Sequence, residues 1–125
     1  MIVKTHTFNM LCWPTAVTDA AVAYVTGETD KVKHIFSIIL HNTHVSAVTV
    51  DIHLVQNSAG AVGVAADANK IYQVTLTANE TEVLSFPGAE SLTLDALNDT
   101  LQAVASVTSV VTITIKGDEV VETTE

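Results

Sequence analysis

Short runs of alternating apolar and polar residues dominate the chain, and turn-forming clusters between them divide it into segments. The longest alternating region spans 32–55. His34, Phe36, Ile38 and Leu40 share one parity there, as do Val48, Val50, Ile52 and Leu54 beyond the polar run His41-Asn42-Thr43-His44. This predicts a hairpin in which even positions oppose even positions, because side chains alternate with period two. Such a register puts His34 on the apolar face and turns His53 the other way with Thr49 and Asp51. The two histidines then share no ligand across the hairpin.

From residue 71 the alternation becomes regular. Tyr72, Val74 and Leu76 take one side and Gln73, Thr75 and Thr77 the other, before a polar turn at Ala78-Asn79-Glu80. Leu84 and Phe86 continue the inward face up to Pro87-Gly88, Leu92 and Leu94 resume it, and 95–99 form a polar loop. A closing hairpin is expected to pair Leu101, Ala103 and Ala105 with Val111, Ile113 and Ile115, leaving Thr112 and Thr114 for solvent or a second protein. Upstream, 20–25 reads as a further strand ended by the turn-like run 26–30. Seven to nine short strands follow, with turn signals between them and no helical periodicity. The expected fold is all-β: an antiparallel β-sandwich, jelly-roll-like.

Two segments stand apart from this rhythm. The run 58–69, SAGAVGVAADAN, is rich in Ala and Gly, has little to bury and reads as a mobile loop. Residues 1–16 read as an extended N-terminal arm or first strand, ending in the apolar cluster Leu11, Cys12, Trp13 and Pro14. The sandwich domain then covers 17–117, and 118–125 forms an acidic tail expected to fray. An arm of this kind can pack on a neighbouring subunit, which makes Ile2, Phe8, Met10, Leu11 and Trp13 the candidate interface residues.

Composition agrees with sheets. Of 125 residues 48% are hydrophobic and 15% charged, and the abundant Val, Ile and Thr suit a pleated surface better than a helix. One domain with one core is expected at this length. The net charge of −9, from 14 acids against five lysines and no arginine, argues against nucleic acid or an anionic membrane as a partner. A single cysteine, Cys12, rules out an intrachain disulfide, and its apolar neighbours favour an inert, buried thiol. Neither a signal peptide nor a membrane span is read at the N-terminus.

Candidate chemistry is thin. His41 and His44 are three apart, a spacing that serves a helix, yet they bracket a turn, and His53 lies most of a strand away; no metal site is expected. Asp95, Asn98 and Asp99 offer oxygens but not the spacing of a calcium loop, and Asx residues are common turn formers. No nucleophile, base and orienting acid cluster in the sequence, no pair of acids is favoured for glycoside hydrolysis, and no cofactor is expected. Phe36, Tyr72 and Phe86 fall in inward phase, which leaves Trp13 as the aromatic candidate for an exposed contact. The chain reads as a structural or binding module and not an enzyme.

Three stretches carry a family resemblance: LTANETEVLSF at 76–86, ESLTLDALNDTLQAVASVTSVVTITIKGDEV at 90–120, and KHIFSIILHNTHVSAVTVDIHLV at 33–55. Together they resemble small β-sandwich structural proteins of tailed-bacteriophage virions, with Gln102 standing where a basic residue is frequent. The resemblance implies a capsid decoration or cementing protein that is made in the host cytoplasm and sits on the outer shell. Its partners would be the major capsid protein or other virion proteins, and it would be a homo-oligomer, favoured as a trimer. A tail, neck or head-fibre component is the alternative within that class. A carbohydrate-binding module, using Trp13 or Tyr24, is the alternative from another.

Overall fold

Nine strands make up the computed structural model, which describes residues 1–124. In chain order they are β1 (Ile2–Ala16), β2 (Val22–Thr26), β3 (Lys31–Asn42), β4 (Val48–Val55), β5 (Lys70–Leu76), β6 (Thr81–Ser85), β7 (Leu92–Leu94), β8 (Thr100–Ala105) and β9 (Val111–Thr124). Single 3₁₀ turns occur at Asp67–Asn69 and Gly88–Glu90. Among the described residues no helix is long and apolar enough to cross a membrane. The first sheet has the order β1-β9-β3-β6, with β7 also pairing β3, and the second has the order β2-β8-β4-β5.

All pairings are antiparallel, and they nest. The innermost is β4 with β5, followed outward by β3 with β6, β2 with β8, and β1 with β9. This is one long antiparallel ribbon rolled so that successive pairs fall in alternate sheets. The rolled ribbon is closed by β9 on β3 and β8 on β4. Rolling of this kind defines a jelly roll, here with β7 as an added short strand.

The nesting overturns both expected hairpins. β3 and β4 lie in different sheets, as do β8 and β9, and each chain segment between them crosses from one sheet to the other. Their apolar faces meet across the core rather than side by side. Leu40, Ile113 and Ile115 belong to the first sheet and Val50, Ile52 and Leu101 to the second, and all are fully buried. Every fully buried large side chain is aliphatic, which is what interdigitated, β-branched sheet faces require.

A bulge decides the face of two aromatic-ring residues. The β3–β9 register shifts between Ile35 and Ser37, so Phe36 is an extra residue, and Ile35 and Ile38 are both buried. His34 and Phe36 therefore lie on the outer face of the first sheet, not among the core residues whose parity they share. Gly117 sits opposite Ile35, where the bulged strand comes close. A Cβ on Gly117 would run into the His34 carbonyl and come within 2.8 Å of Leu11 Cδ1. Leu11 is partly buried and packs against the core.

Two further expectations change. Residues 118–124 are the end of β9 rather than a frayed tail: 118–121 lie between β1 and β3, and 122–124 pair with β1 alone; Glu125 lies outside the described residues. The run 58–69 is pinned along its length. Asp99 Oδ1 accepts hydrogen bonds from Asn57 N (2.9 Å) and Nδ2 (2.8 Å), Asn98 Nδ2 donates to Gly60 O (2.9 Å), and Gln102 Nε2 donates to Gly63 O (3.1 Å). The loop covers His53, whose Nδ1 donates to Asn69 Oδ1 (2.8 Å) and Ala66 O (3.1 Å), and this accounts for a histidine buried on a face expected to be exposed.

Between the β2–β3 turn and β3, Lys33 Nζ lies 2.8 Å from Glu28 Oε2, and its hydrogen bond holds the exposed Glu28 carboxyl below the usual carboxylate range. A depressed carboxylate pKa adds stability above the unfolded value, and that stability is lost as pH falls through the folded value. Glu28→Gln should therefore lower the melting temperature slightly at neutral pH. The difference should close as acid protonates the carboxylate, and thermal melts across pH check it. Solvent screening keeps the effect small.

Candidate functional site: the outer face of the first sheet

The β1–β9 register runs without interruption from Ile2↔Thr124 to Met10↔Lys116. Even residues of β1 therefore share the outer face with Lys116, Asp118, Val120 and Glu122 of β9. The β3 register adds Val32, His34, Phe36, Ser37, Ile39 and His41, and β6 adds Val83 beside Ile39. Phe8, Met10, Phe36, Ile39 and Lys116 line a shallow groove of about 580 Å³ on this face. Phe8 and Phe36 face each other with ring centroids 6.3 Å apart, and His34 stacks on Phe36 at 6.4 Å.

Exposure sorts the residues expected at the interface. Ile2, Phe8 and Trp13 are 61%, 78% and 71% exposed, Met10 is half-buried beside the groove, and Leu11 belongs to the core side. Ile2, Phe8 and Met10 share the outer face. Trp13 lies within the irregular register at 10–15, where Thr15 Oγ1 donates to its carbonyl at 2.7 Å. Sequence parity misplaced Phe36. Ile39 and Val83 face outward by the same parity that turns Ile38, Leu40 and Leu84 inward, but only the pairing of β3 with β6 and β9 makes them neighbours on one face.

Charge on this face departs from that of the whole chain. Among its strand residues only Asp118 and Glu122 are acids, whereas Lys4, Lys116, His6, His34 and His41 are cationic or can become so. Lys31, Lys33 and Lys70 are ion-paired elsewhere, to Glu28 and Glu119, to Glu28, and to Asp51 and Asp67. Lys4 and Lys116 have no ion pair among the described residues. Asp118 is 4% exposed; His6 Nδ1 lies 3.2 Å from its Oδ2, and its Oδ1 has no hydrogen-bond partner.

The other candidates are spoken for individually. His41 Nδ1 is 2.7 Å from Thr81 Oγ1, and His44 Nδ1 accepts from Ser46 N at 3.1 Å, so the turn histidines serve separate local bonds. Asp99 and Asn98 fasten the 58–69 loop rather than presenting free oxygens together. Among the described residues no group of three His, Cys, Asp or Glu side chains could hold a metal ion. Tyr24 is half-buried, with its hydroxyl donating to Ala16 O and accepting from Thr18 N, both at 3.3 Å. Cys12 is half-buried against the core, with Sγ 3.6 Å from Thr15 Oγ1.

No protein-family model matches the chain, and no curated protein does. Among the solved structures similar to it, two match over 98% of its length. One is the tobacco streak virus coat protein dimer, at 11% identity and a TM-score of 0.47, with 88% of that chain covered. The other is a Bacillus endospore appendage, from a family described as disulfide-linked pili, at 14% identity and a TM-score of 0.40, with 90% covered. Both scores fall below 0.5, and neither likeness bears on what this chain does.

Proposed function

We propose that the chain is a structural virion subunit of the capsid-decoration type, docked through the outer face of its first sheet onto the major capsid protein or another virion protein. It works by adhesion, without catalysis or a cofactor. The observation that carries this reading is the groove of Phe8, Met10, Phe36 and Ile39 on a face nearly free of acids in a chain of net charge −9. An exposed Phe8 beside half-buried Phe36 and Met10, with few acids, matches the composition of interface cores. The acidic remainder of the surface keeps the subunit from DNA and from indiscriminate contacts. The jelly-roll fold supports the reading without deciding it, since capsid, lectin and cupin domains share it.

Cosedimentation with heads of the encoding phage, assembled without accessory proteins, tests the reading. The wild-type chain should saturate the heads. Phe8→Ser, at an exposed site that leaves the core untouched, should bind roughly tenfold or more weakly, and Tyr72→Ser, on β5 of the other sheet, should bind as the wild type does. Failure of the wild type to bind, or equal occupancy by Phe8→Ser, sinks it.

A further inference from the structure

β1 is the terminal strand of the first sheet, and among the described residues no strand pairs with its far side. We infer that this free edge takes the β1 edge of a second copy, antiparallel about a two-fold axis, joining two first sheets into one continuous sheet. An unpaired strand edge is a row of free N–H and C=O groups, and proteins ordinarily blunt it with charges, prolines, bulges or brevity. Among the described residues the other sheet edges are shorter. β6 has five residues and β7 three, β2 has five with an irregular register, and β5 has seven with an irregularity at its Lys70 end. In β1 such devices occur only in the second half, at Pro14 and at the register shifts between Met10 and Thr15.

The first half of β1 has none of them beyond Lys4. Ile2–Met10 pairs with β9 in unbroken register for nine residues, and the chain has no acid before Asp19 although it carries 14 in all. Two copies of an acidic protein repel each other least along a strand that carries no acid of its own, the nearest here being Asp118, Glu119 and Glu122 one strand behind on β9, and on this molecule that strand is also the longest regular edge. Length then selects the partner. The short edges can match only part of β1, whereas a second β1 matches all of it, and a self-complementary edge closes as a two-fold dimer instead of propagating. In such a dimer Lys4, His6, Phe8 and Met10 of both copies lie on one continuous outer face, so the two grooves become neighbours. This goes beyond the capsid-docking reading and needs only the purified chain for its test, so either can fail without the other.

The experiment combines light scattering after size exclusion with amide exchange on the full chain, from about 10 µM to about 1 mM. The expected result is a dimer at the upper end. In it, the amides of residues 2–10 that point away from β9 should exchange roughly tenfold or more slowly than in dilute protein, while those of β5 and β6 should not change. Single cysteines at Thr5, His6 and Thr7 in a Cys12→Ser background locate the axis, since in an antiparallel self-pair only residues at the axis meet their own copies and cross-link. A chain that stays monomeric across the range overturns the inference. So does a dimer whose β1 amides exchange as fast as in the monomer, or one that cross-links at none of the three positions.

Discussion

Gly117→Ala is expected to lower the unfolding free energy by about 2–4 kcal/mol, and Gly117→Val to prevent folding at 37 °C. The added Cβ meets backbone, not a flexible side-chain tip: the His34 carbonyl oxygen, and its carbon at 2.9 Å, with Leu11 Cδ1 at 2.8 Å on another side. β3 cannot retreat at that point, because His34 and Ile35 pair with β9 on one side and with Thr93 and Leu92 of β7 on the other. The strain must therefore open the bulge that turns Phe36 outward. Urea unfolding followed by far-ultraviolet circular dichroism measures the loss; the lone Trp13 is largely exposed and would report it poorly. A Gly117→Ala protein within about 0.5 kcal/mol of wild type would show that the close approach is soft.

Asn42→Asp should cost about as much, and more than Asn42→Ala. Asn42 is fully buried where β3 leaves the first sheet. Its Nδ2 donates to Ser46 O (3.0 Å), Leu76 O (3.1 Å) and Thr77 O (3.1 Å), and its Oδ1 accepts from His44 N (2.9 Å). One amide thus satisfies backbone groups from both sides of the crossover and ties β3 to the end of β5. Alanine strands those groups, at about 1–3 kcal/mol for the buried ones. Aspartate is worse because an ionised carboxylate only accepts, so it places negative charge against three carbonyl oxygens. Protonation restores one donor, so Asn42→Asp should gain stability relative to wild type as pH falls. Denaturant titrations of both variants at neutral and mildly acidic pH check the order. An Asp variant as stable as the Ala variant at neutral pH would remove the argument.

Much of the strand map was legible because period-two alternation is local. The segments around 22–26, 31–42, 48–55, 70–76, 81–85 and 100–105 are strands, as their residue patterns imply. Burial of Leu84, Leu94, Leu101, Ala103, Ile113 and Ile115 also follows from parity alone. Partners did not follow, since adjacency in the chain is a poor guide to pairing when a long ribbon rolls into alternate sheets. The turn at 41–44 looked like a hairpin because its residues are polar. It is a crossover, and Asn42 is there to satisfy carbonyls that a hairpin would have paired with its own strands.

The candidate face was half legible. Ile2, Phe8 and Met10 stood out as apolar residues on a terminal strand, and Trp13, whose pattern suits a buried role equally well, is exposed. Phe36 did not stand out, because one inserted residue reverses parity for everything before it and leaves no trace in composition beyond a distant glycine. Gln102 and His53 are buried because a loop with little apolar content is held by side-chain amides rather than by packing.

What the sequence determined by itself is therefore the local chemistry: an all-β chain, the positions of most strands, the acid-free first 18 residues and the single cysteine. Tertiary structure alone decided which strands are neighbours, which side of the first sheet Phe36 takes, and that residues 118–124 continue β9 rather than forming a tail. The reason is physical. Alternation is set residue by residue through backbone geometry, whereas pairing and phase depend on closing a ribbon whose partners lie up to the whole chain apart.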